Sequence, residues 1–146
     1  MQVLSLFADG FQVLLPVNMV AQIIGPTQVA EADRAVRGMT GKIRWREFEV
    51  PLLLTSELMA GKTGSDTGFE RIVVLWPMKS AGAQGFLAMT SLGPPRVVDI
   101  EDQTAPSTMP NLDYLLGAVV LDSGIAAIPD IDRVSAELYN YPVINS

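Results

Sequence analysis

The chain has 146 residues, 49% of them apolar and 18% charged, with a formal net charge of −6 and neither histidine nor cysteine. This length suits one domain or two very small subdomains, and the missing residue types exclude disulfides, thiol nucleophiles, Ser-His-Asp triads and most zinc sites. The acidic charge disfavours nucleic acid and anionic membranes as partners, and the excess of apolar residues predicts surfaces that partners bury.

The longest apolar region, residues 11–26, is interrupted by prolines and polar residues. A membrane-spanning helix needs about 20 mostly apolar residues, so this region does not predict one. The first residues also lack the basic segment of a secretory signal. We therefore expect no direct membrane insertion and a cytoplasmic location.

Short apolar runs separated by turn residues predict antiparallel hairpins in the first half of the chain. Residues 3–7 and 11–15 flank an Asp-Gly turn, which favours a tight connection. Residues 42–46 and 48–54 predict a second hairpin around Arg46-Glu47. Because proline has no N–H to donate, Pro51 favours a strand edge or end.

Three stretches of the first half favour helical turns. Residues 17–24 carry apolar side chains at helical spacing. Thr27 is a candidate cap for a short helix that reaches Val36, and residues 55–58 predict a capped turn. Residues 61–68, GKTGSDTG, read as a linker, since a phosphate loop would need glycine where Ser56 stands.

The second half again predicts hairpins that are separated by Gly, Pro and Asp. The predicted elements are strands 69–76 and 84–90, a turn at 92–95, a strand at 96–100, a loop at 101–111, a hairpin of strands 114–121 and 125–131, and a helix at 133–140 capped by Asp130 or Asp132.

A weak internal repeat relates the two halves. Residues 41–59 and 117–138 share an order of glycine, strand, turn, strand and proline, with Pro129 matching Pro51. This pattern predicts two similar β-barrel-like subdomains of about 70 residues, each too small to be stable without the other.

No constellation of catalytic, cofactor-binding or metal-binding residues stands out. The acidic groups at 99–102 and 130–132 lack the spacing of a calcium loop and favour solvated turns or a helix cap. Alternation places Arg44 and Arg46 on one face of a strand and Trp45 on the other. Trp45 is therefore either a core residue or, with its arginines, part of a protein-binding hot spot.

Four stretches occur in an order and spacing that resemble the CheW-like adaptor family of bacterial chemosensory systems. They are GFQVLLPVNMVAQII (10–24), GKIRWREFEVPLLLTSELM (41–59), residues 71–99 and residues 116–134. The resemblance extends over residues 3–134. Within the family, the chain looks most like the ChpC-type adaptors of type IV pilus twitching systems, on its VLLP (13–16), G-x-I-x-W-R (41–46) and GPPR (93–96) segments.

The resemblance implies a mainly β fold of two intertwined five-stranded SH3-like barrels with short helices. Residues 1–146 would form one CheW-like domain, with subdomains at roughly 15–68 and 69–146 that exchange terminal strands. It also implies a non-enzymatic adaptor that couples methyl-accepting chemoreceptors to the regulatory domain of a CheA-type histidine kinase. Self-association stays open, as does the alternative of a regulatory paralogue that binds a pilus-motor or second-messenger component.

Motif positions imply the partner contacts. They fall in a groove between the barrels, at the Arg46 hairpin and, less directly, at one barrel end. The implied residues are Val20, Gln22, Trp45, Arg46, Glu47, Gly93, Pro94 and Pro95. The chain departs from the family pattern where an acid, a glycine and two aspartates are replaced by Gln22, Glu47, Thr55 and Met89 respectively.

Overall fold

In the computed structural model, which describes residues 1–77, 85–100, 106–107 and 112–144, twelve strands form two sheets. The strands are β1 Gln2–Ala8, β2 Phe11–Pro16, β3 Val20–Ile24, β4 Val29–Ala30, β5 Met39–Trp45, β6 Phe48–Leu53, β7 Arg71–Leu75, β8 Leu87–Ser91, β9 Arg96–Asp99, β10 Pro106–Ser107, β11 Leu115–Leu121 and β12 Gly124–Pro129. The helices are α1 Thr55–Ala60 and α2 Ile131–Ile144, and Val17–Met19 forms a single 3-10 turn.

Each sheet has six strands. The central sheet has the order β3-β7-β8-β6-β5-β4, and the terminal sheet has the order β10-β11-β12-β2-β1-β9. Neighbouring strands are antiparallel except in the pairs β6–β8 and β12–β2, which are parallel. The predicted mainly β fold with two intertwined subdomains and short helices is confirmed, and each sheet has six strands where the resemblance implied five.

The two sheets have the same strand order when the strand numbers are shifted by six. In each half, the strand that follows the opening hairpin leaves it and pairs in the other sheet, as β3 does with β7 and β9 does with β1. This order agrees with the repeat seen in the sequence. The matched prolines are offset, because Pro129 ends β12 whereas Pro51 lies two residues before the end of β6.

One hydrophobic core lies between the sheets and is shared by them. It takes apolar side chains from the opening hairpin of each half, from the last residue of β6 and from both helices: Leu4, Leu6, Val13, Leu15, Leu53, Leu58, Met59, Val73, Leu75, Leu87, Met89, Ile131, Val134 and Leu138. Smaller cores lie inside each sheet. The central one is built on Ile43, Trp45, Val50, Leu52, Ile72 and Phe86, and the terminal one on Val3, Leu14 and Ala126.

The predicted hairpins are confirmed, but two helical predictions are wrong. Only residues 17–19 of the 17–24 stretch are helical, and β3 follows because its backbone pairs with β7. No helix forms over 27–36. Val29 and Ala30 instead pair with Ile43 and Lys42. The half-buried Val29 packs against the central core, a placement that suits a β-branched residue in a strand.

Pro51 lies inside β6, which is an inner strand, so the expected edge or strand-end position is wrong. The sheet tolerates the missing donor because β6 pairs with β8 only at Leu52 and Leu53. At Pro51 its described pairing partner is β5 alone, through Lys42.

The C-terminal helix starts earlier than predicted, and a carboxylate oxygen of Asp130 accepts a hydrogen bond from the backbone N–H of Arg133 at 3.2 Å. Asp130 is therefore the cap that the sequence offered as one of two choices. The loop predicted at 101–111 lies outside the described residues except for β10, and so does Gln84 at the start of a predicted strand.

Residues 61–68 are not a free linker, because the carboxylate of Asp66 packs against the start of α1. Asp66 is 2% exposed and accepts hydrogen bonds from the backbone N–H groups of Ser56 and Glu57, both at 3.1 Å. These are donors that a helix leaves unpaired in its first turn. Gly61 ends α1 in the left-handed region with φ of 68°, where glycine is favoured.

The same helix is tied to three other parts of the chain. The N–H and hydroxyl of Thr55 bond the side chain and carbonyl of Thr90 on β8. The hydroxyl of Ser56 accepts a bond from the N–H of Asp9 in the β1–β2 turn. At the other end, the guanidinium of Arg37 donates to the carbonyls of Glu57 and Leu58 and pairs with Asp113.

We expect Asp66→Ala to lower the free energy of unfolding by about 1–3 kcal/mol, because two buried N–H groups lose their acceptor. Urea denaturation followed by circular dichroism measures the change. Glu70→Ala is the matched control, since Glu70 is exposed and loses the same charge. Equal stability of the Asp66 and Glu70 variants would contradict this role.

Candidate functional site

The turn between β5 and β6 presents Arg46 at the surface. Trp45 pairs with Phe48 across the hairpin, which leaves Arg46 and Glu47 as the two turn residues. Arg46 has a φ of 54°, in the left-handed region, and both turn residues are exposed. The Arg46 guanidinium carbon lies 4.4 Å from the centre of the Trp45 ring, which is cation–π geometry.

Trp45 is 4% exposed and belongs to the core of the central sheet, which decides between the two roles that the sequence left open. Its ring lies 5.1 Å from that of Phe86 and 6.4 Å from that of Phe48. Trp76 extends this aromatic group to the surface, since its ring is 6.0 Å from Phe86 and it is 42% exposed. One aromatic cluster therefore connects the core to solvent.

Gln22 joins this cluster from the edge strand β3. Its side-chain oxygen accepts a hydrogen bond from the indole N–H of Trp45 at 2.8 Å. Because β3 and β5 are not neighbours in the sheet order, this bond links the two strands through their side chains and not through backbone pairing. The indole N–H of Trp45 can only donate, so Gln22 must supply an acceptor, and its amide oxygen does so without a charge.

The other face of β3 carries a second, apolar surface. Val20 and Ile23 pair with Leu75 and Val73, whose side chains lie in the shared core. Val20 is half-buried against that core, whereas Ile23 is 40% exposed beside the boundary between the sheets. A β-bulge between Val20 and Gln22 interrupts the alternation, so these two residues, predicted as parts of one contact region, face opposite sides of the strand.

Gly93, Pro94 and Pro95 lie apart from the other candidate residues. They follow β8, whereas the aromatic cluster packs on Phe86 before that strand begins, and the strand spans roughly 17 Å at about 3.4 Å per residue. The hydroxyl of Ser91 fixes this segment by donating to the carbonyl of Gly93 at 2.6 Å. The same hydroxyl accepts the N–H of Phe7 on β1 at 2.9 Å.

Sequence reasoning missed Ile23 and Trp76. Ile23 was assigned to a helical turn, in which its face is not defined by alternation. Had residues 20–24 been read as a strand, the period of two would have put Ile23 and Gln22 on opposite faces. Trp76 was predicted as the end of a strand, and nothing in the pattern indicates that it remains exposed.

The structure gives physical reasons for the departures from the family pattern. Met89 is fully buried in the shared core, where a carboxylate would be desolvated without a partner. Thr55 is fully buried and bonds Thr90 through both its backbone and its side chain. The positive φ of the turn falls on Arg46, so Glu47 needs no glycine-like backbone.

Within the described ranges, no group of three or more carboxylates is placed to hold a metal ion. A carboxylate oxygen of Asp99 lies 3.2 Å from the N-terminal amine of Met1. Glu101 and Asp102, also considered as acidic ligands, lie outside the described residues. No helix in the described part of the chain is long and apolar enough to cross a membrane.

Both the sequence and the fold are similar to those of known proteins. The family model of the CheW-like domain matches residues 2–138. Among solved structures, the chain is similar to the scaffolding protein TtCheW from Thermoanaerobacter tengcongensis, with a TM-score of 0.65, 12% sequence identity, and coverage of 88% of this chain and 82% of that one. A search of curated proteins gives no match. At 12% identity the structural similarity shows the fold alone.

We expect Arg46→Gly to be more stable than Arg46→Ala by about 1 kcal/mol, because a Cβ in the left-handed region is strained. Both variants lose the contact with Trp45, so the comparison isolates the backbone. Urea denaturation of the two proteins measures the difference. At Glu47, where φ is ordinary, the glycine variant should show no such advantage over the alanine variant. Equal stabilities at position 46 would show that the positive φ is not kept in solution.

Proposed function

The chain belongs to the CheW-like domain family, and from that membership we propose that it is a non-enzymatic adaptor that couples chemoreceptors to a chemotaxis-type histidine kinase. The observation that carries the proposal is a family match that spans almost the whole chain. An adaptor of this kind works by holding partners in place, and the whole of residues 1–146 would act as one unit in the cytoplasm. The partners would be a methyl-accepting receptor and the regulatory domain of the kinase.

The two faces of β3 support contacts with more than one partner. The exposed Ile23 and half-buried Val20 offer an apolar strip beside the junction of the sheets. On the opposite face of β3, Gln22 bonds to Trp45, whose ring packs under the exposed Arg46 next to Glu47. Arginine is among the residue types most enriched where interfaces derive their affinity, and Arg46 is exposed above the buried Trp45 ring. The Gly93–Pro95 segment, at the other end of the central sheet, would supply a further contact.

The system that the adaptor serves is a finer part of the proposal. The VLLP, G-x-I-x-W-R and GPPR segments support a ChpC-type role in a type IV pilus system that controls twitching motility. Gln22 favours a second candidate, a regulatory paralogue that binds a pilus-motor or second-messenger component. Where the family pattern has an acid, Gln22 cannot form an ion pair with a cation of the usual partner.

The proposal is tested by measuring how Ile23→Ser changes binding to the purified kinase regulatory domain and to a receptor signalling fragment. We expect affinity for at least one of them to fall about tenfold, because an exposed apolar contact worth about 1.4 kcal/mol is lost. Ile125→Ser is the matched control, since Ile125 is 43% exposed on β12 and Ile23 is 40% exposed on β3. Bio-layer interferometry with each immobilised partner gives both affinities.

Wild-type protein that binds neither partner at high micromolar concentration would overturn the adaptor proposal. Equal loss in the Ile23 and Ile125 variants would overturn the assignment of the β3 surface. Wild-type protein that binds the kinase domain and the receptor fragment, but does not bind a pilus-motor component, would exclude the paralogue alternative.

A further inference from the structure

Two cavities lie side by side on the outer face of β5 and meet at Lys42. The first has a volume of about 480 Å³ and lies between residues 32–35, the strand and α2, where Leu138 and Tyr139 line it. The second, of about 390 Å³, continues past Lys42 to Arg44 and Glu49. Volumes of this size are typical of small-molecule sites.

The cavities exist because the side chains beside Lys42 are short. Its partner on β4 is Ala30 and its partner on β6 is Pro51. Neither reaches over the strand as a leucine or arginine would. The side chain of Lys42 therefore lines both cavities, and its amine can bind a ligand in either one.

The cations around these cavities are not neutralised. In the described parts of the chain, no carboxylate lies within 4.0 Å of a nitrogen of Lys42, Arg34 or Arg44, and none of the three side chains forms a hydrogen bond. Asp33 and Glu49 also line the walls, and although Glu49 lies opposite Arg44 across the strand pair, neither carboxylate forms a salt bridge with these cations. Lys42 is half-buried, and a partly desolvated ammonium gains most from an anionic partner.

The remaining walls of the first cavity are apolar or uncharged. Ala35, Met39 and Pro51 contribute aliphatic surface. The hydroxyl of Tyr139 donates a hydrogen bond to the carbonyl of Phe86, and burial raises the pKa of Tyr139 to about 12, so that the ring presents no charge at neutral pH. A ligand here meets an apolar surface with a cation at one edge.

We infer that the Lys42 cleft binds a small amphipathic anion, with an apolar ring or chain against Met39, Leu138 and Tyr139 and a carboxylate, sulfonate or phosphate group on the Lys42 amine. Arg34 lines the first cavity and Arg44 the second, so each cavity holds one further cation besides Lys42. The inference does not rest on the adaptor role, because none of these residues is assigned to a partner contact. It adds a ligand site to a protein for which no cofactor was predicted.

Titration with 8-anilinonaphthalene-1-sulfonate, an aromatic sulfonate whose fluorescence rises on binding, tests the inference. We expect Lys42→Gln to weaken its binding about tenfold, because the charge-assisted contact is lost. The uncharged analogue N-phenyl-1-naphthylamine should bind wild type and Lys42→Gln equally. Lys62→Gln is the matched control, because Lys62 is exposed near the β1–β2 turn.

A second variant, Ala32→Leu, fills the first cavity without changing charge and should weaken both probes. Far-UV circular dichroism and thermal unfolding establish that each variant is folded. The inference is overturned if Lys42→Gln binds the sulfonate as tightly as wild type, if Lys62→Gln weakens it equally, or if folded Ala32→Leu binds both probes unchanged.

Discussion

The shared core between the two sheets is the constraint on which the rest of the fold depends. The hairpins β1–β2 and β7–β8 turn apolar faces towards each other, and residues such as Leu6, Val73 and Met89 lose nearly all contact with water. Among the residues that the structure describes, the terminal sheet has three buried residues in a core of its own. Because burial of apolar area supplies most of the folding free energy, neither half would be stable without the other.

The two halves also depend on each other through their strand connections, because each half contributes a strand to the other sheet. Each opening hairpin sends its next strand into the opposite sheet, where β3 and β9 occupy matching edge positions. Val20, Gln22 and Ile23 on β3 are consequently held in place by pairing with β7. Helix α1 strengthens the same junction, since its ends bond to Asp9, Thr90, Asp66 and Arg37.

Local patterns in the sequence were sufficient to predict the hairpins. They were insufficient to predict the contacts that the hairpins make with distant parts of the chain. Alternation and turn residues predicted the strands around Asp9-Gly10 and Arg46-Glu47, because those signals act over a few residues. Residues 20–24 fitted helical spacing equally well, and only pairing with β7 makes them a strand. The roles of Asp66 and Gln22 depend on contacts with helix α1 and Trp45, which no local pattern encodes.

The two halves share a strand order but differ in what they expose at matching positions. Next to the hairpin turn, the central sheet pairs Arg44 with Glu49, whereas the terminal sheet pairs Val120 with Ile125. Inside, aromatic rings fill the central sheet, while Gln12 of the terminal sheet bonds Ser5 and Ser123. The proposed adaptor role requires binding surfaces that differ from the rest of the exposed chain and are held at a fixed spacing. A repeated framework with diverged side chains provides both, since the shared core fixes the spacing while each surface is free to differ.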